Sequence, residues 1–166
     1  MSKNTSTSKN QNPSKKRYYI AYGSNLSVAQ MAVRCSGAKI AGISVLEGWK
    51  LVFKQHATIE PCEGRVVPVL IWEITELDEK SLDIYEGYPH YYTKEEMNLT
   101  MRDRNWKNPK KITAMVYIMV KDHKPHLPTQ SYYDVLAEGY RRFGFNSYLL
   151  ELALTEAKEA QKNVLP

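Results

Sequence analysis

Tyr18-Tyr19-Ile20-Ala21-Tyr22-Gly23-Ser24-Asn25-Leu26, followed by Ser27, is the stretch from which the rest of the chain can be read. Tyr18 to Ala21 make a short apolar run that stops at Gly23, the pattern of a strand entering a turn. Ser27 has Gln30 three residues on, a capping box, and Val28, Met31, Ala32 and Cys35 share one face, which predicts a helix. A strand-to-helix turn of Gly, Ser and Asn leaves backbone N–H groups without partners. The positive end of the following helix adds to them, so the turn makes a small anion cradle. It is too short for a phosphate loop and no Gly-Lys-Ser/Thr follows, so a carboxylate is the better-sized guest. On spacing alone, the same residues read equally as an ordinary turn capped by Ser27.

Upstream, residues 1–17 hold Lys3, Lys9, Lys15, Lys16 and Arg17, no acid, and nothing that would bury. They are expected to form a disordered basic tail, with a single domain over 18–166. The chain of 166 residues carries a net charge of +5, and a basic protein invites a nucleic-acid or membrane-surface reading. Setting the tail aside leaves 18 basic against 18 acidic residues, so the expected domain is neutral overall. No apolar run approaches the roughly 18 residues of a membrane span, and the N-terminus lacks a signal-peptide pattern. Two cysteines are too few for a disulfide framework. A soluble, cytoplasmic, reduced domain is expected, without nucleic acid or membrane as partner. Oligomeric state is open, a homodimer included.

Downstream, strands are expected around Ala38–Leu46, Trp49–Lys54, Val66–Ile74, Tyr91–Met101 and Ile112–Val120. Pro68 requires an edge, a bulge or a strand that starts after it. Helices are expected at Leu77–Tyr85, from an N-cap at Ser131 to Gly144, and over Ser147–Lys162. Strands in the middle with helices early and late give an α+β fold.

A second local feature is Leu82-Asp83-Ile84-Tyr85-Glu86-Gly87-Tyr88-Pro89, with Tyr91 and Tyr92 beyond. Glu86 falls at the end of a short helix, where the dipole disfavours negative charge, and aromatic residues crowd it. Desolvation and dipole both raise a carboxylate's pKa, which suits a general acid/base working near neutrality. The competing reading is a solvated Glu before a Gly cap. Other candidates carry less. His123 and His126 lie in a Pro-rich loop with no helix to align them on a metal. Cys35 belongs to a core face, and Cys62 sits in a turn among acids that raise a thiol's pKa. Arg102–Lys111 carries a charge of +4 around Trp106 and reads as a solvated hairpin tip.

Taken together, Tyr22-Gly23-Ser24-Asn25-Leu26 and Leu82-Asp83-x-x-Glu86-Gly87, about sixty residues apart, resemble the γ-glutamylcyclotransferase family, which includes AIG2-like proteins. The resemblance runs over most of 18–145. It takes in Arg34, Ala57-Thr58-Ile59, Val67 to Trp72, and then Pro128, Tyr132 and Gly139. It implies a small mixed β-barrel, closed or nearly so, flanked by helices, with a pocket between the Gly turn and the glutamate. It also implies conversion of a γ-glutamyl amino acid or γ-glutamylamine into 5-oxoproline and a free amine, with no cofactor and no metal. Carried over by position, Glu86 is the acid/base, Tyr22, Gly23, Ser24, Asn25 and Leu26 bind the glutamyl end, and Tyr132 contacts substrate. The tyrosines after Glu86 are compactly spaced, so Tyr91 or Tyr92, with Tyr92 taken here, fills a pocket role. The alternative on the same fold is a non-catalytic binder of a carboxylate ligand or a partner protein.

Overall fold

The computed structural model describes residues 15–163. The expected disordered tail lies outside the described residues except for its last three. Of these, Lys16 pairs with Glu73 and Arg17 opens the first strand. That strand, β1 (Arg17–Ala21), runs into a 3-10 turn at Ser24–Leu26 and then α1 (Val28–Arg34), whose first turn is capped by the Ser27 hydroxyl.

Two long strands follow, β2 (Lys39–Lys54) and β3 (His56–Ile74), reversing at Gln55. The two segments expected on either side of Gly48 are thus one strand. Glu47 pairs with Val66 and Trp49 with Pro61, so residues 62–65 bulge out opposite Gly48. This bulge is what the sequence presents as a turn around Cys62. Pro68 lies past the end of the β1–β3 ladder, so its missing N–H breaks no second ladder there. Next come α2 (Glu76–Tyr85), opened by a Thr75–Asp78 capping box, β4 (Tyr92–Met101) and β5 (Lys110–Met119). The chain ends with α3 (Gln130–Phe143) and α4 (Ser147–Lys162). The cap of α3 is Thr129, which accepts from the Tyr132 amide, and not Ser131 as expected.

The strands form one five-stranded mixed sheet in the order β2-β3-β1-β5-β4, with only the β1–β5 pair parallel. Its centre is β3 and β1, where Ile20, Leu70 and Ile71 are fully buried. The α+β class and flanking helices agree with the sequence reading, but the expected β-barrel does not form. Closure would need a continuous ladder between the outer strands β2 and β4. They meet at one isolated bridge, where the amides of Ile43 and Arg102 donate to each other's carbonyls at 2.9 and 2.8 Å. The Ser44 hydroxyl adds a bond to the Thr100 carbonyl. Beyond that point the strands splay around a cleft of about 700 Å³. β2 carries register shifts against β3 at Ile40/Gly42 and Glu47/Trp49, and exposed Glu95 and Glu96 give β4 a charged edge. The sheet is therefore open.

Candidate active site

Asn25, in the 3-10 turn after β1, is buried and bonded on every side. Its Nδ2 donates to the Tyr19 hydroxyl at 2.8 Å and to Glu86 Oε1 at 3.3 Å. Its Oδ1 accepts from Arg34 Nη1 at 2.6 Å, and its carbonyl accepts from Trp72 Nε1 at 3.0 Å. The side-chain amide thereby joins β1, α1 and the end of α2, and the backbone carbonyl of the same residue ties in β3. Within the turn, Leu26 N–H donates to Gly23 O and Ser27 N–H to Ser24 O, so the amides of Ser24 and Asn25 have no acceptor in the turn itself.

Glu86 is the residue that caps the C-terminus of α2, its amide donating to the Leu82 carbonyl. Ion pairs hold the helix in place. Arg17 and Lys94 both pair with Glu79, and Lys94 also reaches Asp83, all at 2.9 Å. Burial raises the Glu86 carboxyl to about 7, opposed by the nearby Arg34 guanidinium. Desolvation was expected from sequence; the arginine acting against it was not.

Tyrosines wall the space in front of Glu86. Tyr22 donates its hydroxyl to the Tyr117 carbonyl at 2.6 Å, and Tyr117 donates its own to Asp83 Oδ1 at 2.6 Å. Tyr92 donates to the Ala57 carbonyl, while the Ala57 amide donates to the Tyr132 hydroxyl at 3.0 Å. Tyr19 and Tyr132 thus accept in these bonds and keep a hydroxyl proton to give to a guest. Burial pushes the pKa of all five phenols upward, so they remain neutral donors through the physiological range.

These rings enclose a cavity of about 30 Å³, room for a carboxylate-sized group. Ser24, Glu86, Tyr92 and Tyr132 also border an outer vestibule of about 240 Å³, so the two spaces share a wall. Of the residues expected at the site, Tyr22, Gly23, Ser24, Asn25, Glu86, Tyr92 and Tyr132 line the inner cavity. Leu26 does not. It is fully buried beneath α3, where a Cβ on Gly139 would stand 2.6 Å from its own, so only glycine permits that approach. This contact seats α3, and with it Tyr132, over the turn.

Sequence reading missed Tyr19, Tyr117 and the bond from Arg34 to Asn25. Tyr19 carried a signal, since it alternates with Ala21 on one side of β1, whereas Tyr117 sits in an apolar run of β5 with none. His123 packs against the Tyr91 ring at 4.7 Å, and the His126 backbone pairs with Phe53 and Gln55. Burial beside Asp78 pushes the Cys35 thiol up to about 12. Among the described residues, no three His, Cys, Asp or Glu side chains gather as a metal site, and no helix is long and apolar enough to cross a membrane.

Solved structures with this fold include a protein described as a gamma-glutamyl cyclotransferase, at 23% identity and a TM-score of 0.67, covering 84% of this chain and 86% of that one. An uncharacterized protein from Homo sapiens is similar at 22% identity and a TM-score of 0.65, over 83% and 86%. YkqA from Bacillus subtilis gives 17% and 0.63, with 91% of this chain covering 55% of that one. No curated protein matches the sequence. A family model described as "Gamma-glutamyl cyclotransferase, AIG2-like" matches residues 19–135, a span from β1 into α3 that includes every residue of the cavity wall named above. The chain belongs to the AIG2-like gamma-glutamyl cyclotransferase family.

Proposed function

We propose that the protein is a γ-glutamyl cyclotransferase, releasing 5-oxoproline and a free amine from a γ-glutamyl amide. The observation that carries the reading is Glu86, a carboxyl raised to about 7 at the wall of a cavity lined with neutral hydroxyl donors. Family membership and the printed description of a solved structure with this fold support it.

The substrate supplies both nucleophile and electrophile, so the site needs no thiol, serine–histidine pair or metal. Glu86, ionised, takes one proton from the α-ammonium, and the freed amine attacks the γ-carbonyl carbon. A ring C–N bond forms and the γ-amide C–N bond breaks. The ring nitrogen sheds its surplus proton, and that proton and the one held by Glu86 end on the departing amine, which leaves as an ammonium. No water is consumed. Holding the glutamyl chain in ring-closing geometry contributes up to about 7–11 kcal/mol in well-oriented cases. The Tyr19 and Tyr132 hydroxyls and the turn amides are the donors for the α-carboxylate or the developing oxyanion.

The test is release of 5-oxoproline from a panel of γ-glutamyl dipeptides and γ-glutamylamines. Glu86→Gln should reduce kcat by about 10²–10⁴ without loss of fold. Full activity in that variant removes Glu86 from the role. Tight ligand binding without turnover across the panel would favour the non-catalytic reading.

A further inference from the structure

The 18 basic and 18 acidic residues of 18–166 balance in number but not in place. β1, β2 and β5 begin, and β3 and β4 finish, at one end of the sheet, opposite the end that carries Tyr22, Tyr92 and Tyr117. The turn from β4 to β5 puts Arg104 and Lys107 there, β5 starts with Lys110 and Lys111, and the last turn of α3 holds Arg141 and Arg142. The Arg104 guanidinium lies 5.3 Å from the Phe143 ring centroid, and the Trp106 and Phe145 rings are 6.5 Å apart. The β4–β5 turn and the end of α3 therefore form one surface. All six cations are exposed, and among the described residues none forms an ion pair. Asp103 spends its carboxylate on its own turn, accepting from the Asn105 and Lys107 amides and from Asn108 Nδ2. Glu138, one turn before Arg142, pairs with neither arginine. Even with both acids counted, the surface keeps a surplus of four positive charges.

Among these cations stands Trp106, 40% exposed at a left-handed backbone position with φ of 61°. Its amide donates to the Asp103 carbonyl and the Asp103 amide to the Lys107 carbonyl, so the turn is fixed before any partner arrives. In sequence this turn reads as solvated; the fold adds two arginines from a distant helix and holds an indole out beside them. Exposed cations track a phosphate backbone, and an indole face gives a base a platform to stack on. That combination suits unpaired strands, whose bases are free to leave their own stack. A membrane surface needs apolar area to take up, and Trp106 is the one large apolar side chain exposed in the β4–β5 turn and α3. We propose that this end of the molecule binds single-stranded nucleic acid, with phosphates on the cations and a base on Trp106, independently of the chemistry at Glu86.

The full chain is titrated with labelled oligothymidylate of about twenty nucleotides, with a duplex of the same length, and with phosphatidylserine vesicles. The single strand should bind tighter than the duplex and quench indole emission. Its log K should fall against log salt with a slope of about −2 to −4, three to six phosphates at about 0.7 each. Replacing Lys107, Lys110 and Lys111 together by Ser should make that slope shallower by about 2. Trp106→Ala should weaken binding at least about fivefold with the slope unchanged, and the quenching should disappear. The lysine variant, altered only at exposed side chains, carries the test should Trp106→Ala not fold. An unchanged slope in the lysine variant assigns binding to cations elsewhere in the chain, Lys3 and Lys9 among them, and overturns the proposal. Equal affinity for the duplex, or unaltered affinity in folded Trp106→Ala, overturns it as well. So does binding to the vesicles without binding to the oligonucleotide, or binding to neither.

Discussion

Glu86 and Arg34 share a single intermediary, the side-chain amide of Asn25, which donates to one and accepts from the other. The carboxyl is therefore set by two opposed influences, burial raising its pKa and the guanidinium lowering it. A base must be ionised, so kcat/KM should rise with pH through about 7. Arg34→Met removes the opposing charge, and the rising limb should move to higher pH, measured on any turned-over substrate. The same displacement has a stability consequence of definite sign. The folded protein binds the Glu86 proton more tightly than a free carboxyl of ordinary value 4.5, so stability falls as pH rises from there to about 7 and is level above. Glu86→Gln should melt higher than the parent above pH ~8, by up to about 3 kcal/mol, with the difference gone near pH ~4. Identical melting of the two proteins at both pH values would contradict the raised carboxyl. The crowding of Glu86 by aromatics was readable from adjacent sequence; Arg34 was not, because its link to Glu86 crosses two elements and passes through a third residue.

At the scale of elements, the site depends on how closely α3 seats on the 3-10 turn. Gly139 faces Leu26 with no room for a methyl group, and Tyr132 rides the first turn of the same helix. Gly139→Ala should force the helix outward, costing about 1–3 kcal/mol of stability. It should also reduce kcat/KM in the molecules that remain folded, since Tyr132 moves with the helix. Thermal melting with active-site assay of the folded fraction reads both effects, and loss of one without the other would separate α3 from the site. The helices were legible because capping and apolar spacing are local: Ser27 and Gly144 mark ends regardless of what packs nearby. The long hairpin was less so. Gly48 and residues 62–65 look like turns in sequence, and only the cross-strand register of β2 with β3 shows them as bulges inside continuous strands.

For the molecule as a whole, the outer strands decide its shape. Composition and order of elements sufficed for α+β, but closure depends on whether two strands separated in sequence by β3 and α2 come within bonding distance along their length. They come that close only near Ile43 and Arg102, and neither the bulges in β2 nor the charged edge of β4 has a local signature strong enough to forecast an open sheet. The residual contact is the Ile43–Arg102 bridge, and Gly42 beside it has no space for a side chain because the Arg102 carbonyl oxygen and Met101 occupy that volume. The bridge lies at the far end of β4 from Tyr92, roughly 30 Å away at strand rise. Shape and chemistry are thereby separable. Gly42→Ala should break the bridge and part the outer strands, lowering stability by about 1–3 kcal/mol. Its kcat/KM per folded molecule should stay within about twofold of the parent, because substitutions away from a site leave its contacts in place. Hydrogen exchange at the Ile43 and Arg102 amides reports the break, and parallel kinetics report the site. Faster exchange with unchanged kinetics is the expected pair of results, whereas a matching fall in activity would make the strand contact part of the catalytic apparatus.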